Sequence, residues 1–139
     1  MNDQRFSVSV HIMTSLAFHK GEKMTSDQLA DSIRTNPTVV RRLLAKLSEA
    51  GLLDSFKGKA GGVILNKSPK EITLKDIYMA TVEDKKLLCT LSEKEPAKGC
   101  AVSCSMKKIL TDVVDGFEEN SLSYLSKIRL SDLTSKISK

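Results

Sequence analysis

The sequence predicts a mainly α-helical chain interrupted by one small β-hairpin. Three observations point there. Apolar residues recur at helical intervals in four separate stretches. The run Gly58-Lys59-Ala60-Gly61-Gly62 separates two short apolar segments, as a hairpin turn does. The last third of the chain repeats apolar residues at helical spacing from Met106 to Ile128, far longer than one ordinary surface helix.

The elements follow in order. Phe6, Val10, Met13 and Ala17, with Leu16, stripe a first helix over residues 5–19, and Gly21 ends it. His11 and His19 sit eight residues apart without a carboxylate motif between them, and both are ordinary helix positions. Thr25 or Ser26 can cap a short helix, Asp27–Ile33. Asn36 precedes Pro37, which suits a first helical turn because its missing N–H would have had no partner there. The third helix runs to about Ala50, with Gly51 as its terminator and Val40, Leu43, Leu44 and Leu47 as its buried stripe. Thr38, Arg41, Arg42 and Lys46 fall largely on the opposite side. Two short helices joined by a tight turn, the second presenting basic and hydroxyl groups outward, form a helix-turn-helix.

Leu52–Phe56 and Val63–Leu65 are the hairpin strands, so the glycine-rich stretch is a wing. Lys57 and Lys59 on it would meet phosphates beside the groove that the helix enters. Gly61 and Gly62 would let backbone N–H groups approach closely. A nucleotide-binding P-loop needs a different pattern leading into a helix, and is rejected. Thr73 caps a further helix, Leu74–Thr81, with Asp76 in its first turn. Residues 83–103, with Pro96 and Gly99, are expected to be irregular. The long apolar-faced helix that follows has little chain left to cover it, so a second copy is its natural partner, with packing on the first helix as the alternative. Ser131-Asp132-Leu133 suggests a short final helix.

Charge is concentrated. The chain of 139 residues carries a net +5. From Arg34 to Lys70 eight basic side chains face two acids, Glu49 and Asp54, a net of +6 that leaves −1 for the remainder. A positive field confined to the helix-turn-helix and wing favours a polyanionic partner. No apolar run approaches the ~18 residues of a membrane span, and no signal peptide is expected, since acidic Asp3 comes early and no long apolar stretch opens the sequence. The expected location is the cytoplasm, away from membranes.

The stretch "NPTVVRRLLAKLSEAGLLDSFKGKAGGVILNKSPKEITLKDIYMA", Asn36–Ala80, resembles the Rrf2 family of winged helix-turn-helix transcriptional regulators. The signs are the basic helix ending in Ala50-Gly51-Leu52, the wing glycines Gly58, Gly61 and Gly62, and Ile72-Thr73-Leu74 followed by Asp76. "TNPTVVRR" looks most like the YwnA-like subgroup. The resemblance implies a DNA-binding domain over 1–72, and a sensor loop and helical dimerisation region over 73–139. It implies DNA contacts from Thr35, Asn36, Pro37, Thr38, Arg41 and Arg42, and from the wing. With Ser26, Lys46, Lys57, Lys59, Gly61 and Gly62, these make the expected DNA-binding set. The implied partners are duplex DNA with an inverted-repeat operator and a second copy of the chain, acting as a repressor.

Cys89, Cys100 and Cys104 fall where iron–sulfur members of the family carry cluster ligands. Ten residues separate the first pair and three the second, more uneven than the family pattern. Three readings stay open: an iron–sulfur cluster, a thiol switch answering oxidant or nitric oxide, and inert packing. Cys89, among leucines, is the one expected to be buried. Cys100 and Cys104 lie near the start of the long helix, where its dipole and Lys98, Lys107 and Lys108 put positive charge beside the sulfurs. A cysteine enzyme would want a Cys–His pair or a C-x-x-C motif, and neither is present. A protein-binding adaptor without DNA affinity would have no need of basic residues on both helix and wing.

Overall fold

The computed structural model describes residues 4–82 and 97–137. Its elements run α1 (Arg5–Phe18), α2 (Ser26–Ile33), α3 (Pro37–Glu49), β1 (Leu53–Phe56), β2 (Gly62–Leu65), α4 (Leu74–Thr81), α5 (Ala101–Ser126) and α6 (Leu130–Thr134). The helix starts are set by short-range chemistry. The Thr25 hydroxyl accepts from the Gln28 N–H at 3.1 Å, while the Gln28 amide oxygen accepts from the Thr25 N–H at 2.9 Å. Thr73 and Asp76 repeat this reciprocal arrangement at α4. Each pair satisfies two N–H groups that the helix leaves open. Thr25, rather than Ser26, is therefore the cap, and Ser26 is the first residue of α2.

The core collects Ile12, Met13 and Leu16 of α1, Leu29 and Ala30 of α2, and Val40, Leu43, Leu44 and Leu47 of α3. Phe6 and Val10, expected in the buried stripe of α1, are only partly covered. The covered face of α1 centres instead on Ile12, Met13 and Leu16. The hairpin pairs Leu53 with Leu65 and Phe56 with Gly62. Beside it, Met24 and Val63 exchange backbone hydrogen bonds at 3.2 and 2.9 Å, tying the wing to the segment ahead of α2.

Ile72, Leu74 and Ile77 join this same core, and so does Leu130 from the far end of the chain. Leu74 N–H donates to the Ile128 carbonyl at 2.9 Å, and Leu130 N–H to the Ile72 carbonyl at 2.8 Å. One hydrophobic cluster thus spans the division expected at residue 72. Arg129, not Ser131, precedes α6, and the Asp132 carboxylate reaches back to the Arg129 N–H at 2.9 Å.

Helix α5 starts at Ala101, so residues 101–103 are helical rather than irregular, with Cys100 as the N-cap. Its 26 residues span roughly 39 Å. The apolar positions divide between two faces. Val114 is buried against the protomer, and Leu125 packs on the core. About a quarter-turn round the helix, Val102, Ile109, Val113, Phe117 and Tyr124 stand exposed.

Candidate nucleic-acid interface

The N-terminal end of α3 is built to be presented. Asn36 is its cap: the side-chain oxygen accepts from the Thr38 N–H at 2.8 Å, and Pro37 supplies the first turn. Thr38 and Arg41 share one edge, where an Arg41 Nη donates to the Thr38 hydroxyl at 3.3 Å. Arg42 is also exposed, one position further round. The burial of Val40, Leu43, Leu44 and Leu47 leaves these groups no other direction than solvent.

Between α3, the start of α2 and the wing lies an open concavity of about 490 Å³. Ser26, Arg41, Lys59, Gly61 and Gly62 line it together, with Phe56. Its floor is apolar, and Arg41 and Lys59 are the charged side chains on its walls. Thr35, Asn36, Pro37, Thr38, Arg42 and Lys57 lie outside the hollow. Lys46 lies outside it too, half-buried in the last turn of α3.

The wing glycines have a steric duty that the sequence does not reveal. A Cβ on Gly61 would meet the Phe56 carbonyl oxygen at 2.4 Å and that of Gly58 at 2.8 Å. The Gly61 N–H donates to the Gly58 carbonyl at 3.0 Å, so it closes the turn and is not offered to a phosphate. Gly62 has φ +145°, and a Cβ there would meet the Met24 carbonyl oxygen at 2.8 Å. Gly61 thus allows the wing backbone to approach itself, and Gly62 allows it to approach the Met24 segment ahead of α2. Lys23, absent from the expected set, places its ammonium 4.2 Å from the centre of the Phe56 ring and braces the wing's first strand. A lysine ahead of α2 gives no periodic signal linking it to an aromatic residue in the hairpin.

Cys100 and Cys104 are exposed free thiols on the first turn of α5. The Ser103 N–H donates to Cys100 Sγ at 3.4 Å, and Cys104 Sγ lies 4.0 Å from the Ala97 carbonyl. Cys89 lies outside the described residues. Among the described residues no group of three or more His, Cys, Asp or Glu side chains could hold a metal ion. No helix among them is long and apolar enough to cross a membrane.

Comparison with known proteins extends the picture to nearly the whole chain. Residues 2–136 match the Rrf2 family model, described as an iron-dependent transcriptional regulator. YwnA of Bacillus subtilis strain 168, provisionally described as an HTH-type transcriptional regulator, is 29% identical over 133 residues, which is 96% of each chain. A crystal structure of a provisionally described transcriptional regulator from Lactobacillus plantarum superposes with a TM-score of 0.79 at 27% identity, covering 95% of this chain and 88% of that one. The structure of CymR, the global cysteine regulator of B. subtilis, shares the fold, with a TM-score of 0.66 at 24% identity over 99% and 98% of the two chains.

Proposed function

The chain belongs to the Rrf2 family of DNA-binding transcriptional regulators, and from that premise we propose that it acts as a homodimeric repressor on an inverted-repeat operator. The observation that carries this reading is the hollow where Arg41 of α3 and Lys59 of the wing converge. In this reading Thr35–Thr38, Arg41 and Arg42 enter the major groove. Arg41 reads a base edge, steadied by Thr38, and Lys59 meets phosphate. Asn36 contributes as the cap that shapes the helix start. Residues 1–72 supply the DNA-binding surface, and 73–139 the dimer contact and sensor.

The exposed face of α5 supports the second copy. Five large apolar side chains in a row on one helix form a surface of the kind that oligomers cover. A two-fold pairing would set two copies of α3 roughly 34 Å apart, one turn of DNA. The test compares a single half-site with two half-sites inverted at that spacing. Tight binding requires the pair, and equal affinity for both duplexes would refute the dimeric reading.

The signal enters, in this proposal, through Cys100 and Cys104. Both thiols are exposed at the start of the helix that forms the dimer face, so a chemical change there can alter the spacing of the recognition helices. The two side chains suit thiol chemistry or a soft metal. An iron–sulfur cluster takes three or four protein ligands, of which the described residues offer these two. The variant Cys100→Ser/Cys104→Ser is compared with wild type for operator affinity, with and without mild oxidant or nitric oxide. Loss of the response in the variant is expected, and an identical response in both proteins removes these cysteines from the sensor. The visible spectrum of anaerobically purified protein tests the cluster directly.

A further inference from the structure

We propose that Arg34, at the turn between α2 and α3, is a DNA-phosphate contact kept there against the preference of its own backbone. This rests on the reading of the α3–wing surface as the DNA interface. Arg34 closes α2 with φ 66° and ψ 50°, the left-handed conformation. Glycine adopts it freely, and asparagine tolerates it better than a long side chain does. Elsewhere among the described residues the positive-φ positions are all glycine: Gly21, Gly51, Gly58, Gly62 and Gly99. Arginine stands in the one turn that leads into the recognition helix.

The turn does not need that side chain. The N–H groups of Arg34 and Thr35 both donate to the Ala30 carbonyl, at 2.7 and 3.0 Å, so backbone alone closes the helix. Arg34 is exposed, and among the described residues no hydrogen bond or ion pair engages its guanidinium. Only Thr35 separates it from Asn36, the cap of α3, so its Cα lies within about 7 Å of the helix start that enters the groove. A guanidinium there can grip the phosphate strand bordering that groove through two parallel N–H donors. Strain at a position that is structurally dispensable and electrostatically well placed is the mark of a residue retained for binding.

The experiment titrates full-length protein onto a fluorescent mixed-sequence duplex across a series of salt concentrations, with a melting curve for each variant. Arg34→Gly should raise the melting temperature by about 2–5 °C, because glycine relieves the strain. It should lower the salt slope by about one for each bound protomer, which is about tenfold in affinity at ~50 mM salt. Arg34→Asn should follow it, whereas Arg34→Lys should keep the wild-type slope without the gain in melting temperature. An Arg34→Gly protein that binds with unchanged affinity and slope overturns the proposal. So does one whose melting temperature falls, since the arginine would then have a structural duty. If wild type itself binds no duplex at any salt, the DNA reading fails along with it.

Discussion

Arg41 and Lys59 face one hollow, and the proposed function gives them different parts of a duplex. Arg41→Ala should cost about 1–3 kcal/mol of binding and relax sequence preference at one position, measured on a panel of operator variants. A uniform loss across that panel would make Arg41 a phosphate contact instead. The wing adds a steric test. Gly61→Ala puts a methyl group 2.4 Å from the Phe56 carbonyl oxygen. It should destabilise the fold by about 1–3 kcal/mol and weaken DNA binding with it. Unchanged melting and affinity would mean that the wing relaxes freely. The basic residues and the wing glycines were legible as residue types, because charge and glycine patterns are local signals. The reason for Gly61 was not, since it depends on a carbonyl five residues away that only the folded turn brings close. Nor was Arg34, because a backbone angle leaves no trace in the residue's identity.

The starts of α2, α3 and α4 were legible, since Thr25, Asn36 and Thr73 are capping residue types whose partners lie within three residues. Those of α5 and α6 were not, because Cys100 and Arg129 are not such types. Asn36→Ala should cost about 0.5–2 kcal/mol, read from denaturant midpoints, and lower DNA affinity through the start of α3. A shift in affinity without a shift in stability would give Asn36 a direct DNA contact as well. The return of Leu130 to the core was not legible. Its partners lie about sixty residues earlier around Ile72, and a lone leucine after an amphipathic helix looks like any other. Leu130 is fully buried, so Leu130→Ala should destabilise by about 2–5 kcal/mol. A loss under 1 kcal/mol would show that the last turn of chain is only loosely held. The length and apolar character of α5 were visible in sequence, but its division into an inward and an exposed face was not. Both faces read as a single stripe until Val114 and Leu125 are seen to pack inward.

At the scale of the whole molecule, the proposed dimer ties the exposed face of α5 to the basic hollow. In that proposal a pair of α5 helices would fix the distance between two hollows, and DNA would fix the distance that works. Val113→Asp with Phe117→Asp should yield a monomer by sedimentation, with operator affinity reduced to that of a half-site. A dimer that persists would place the contact elsewhere. The concentration of charge between Arg34 and Lys70 foretold the kind of partner, since net charge is additive along a sequence. How that charge is shared between groove, phosphate and wing depends on the fold. The most direct measurement is therefore the salt dependence of duplex affinity for wild type and Lys59→Ala. A steep fall of log affinity with log salt is predicted for wild type, with a slope shallower by about one per bound protomer in the variant. Salt-independent binding, or identical slopes for the two proteins, would contradict the assignment of the α3–wing hollow as the DNA interface.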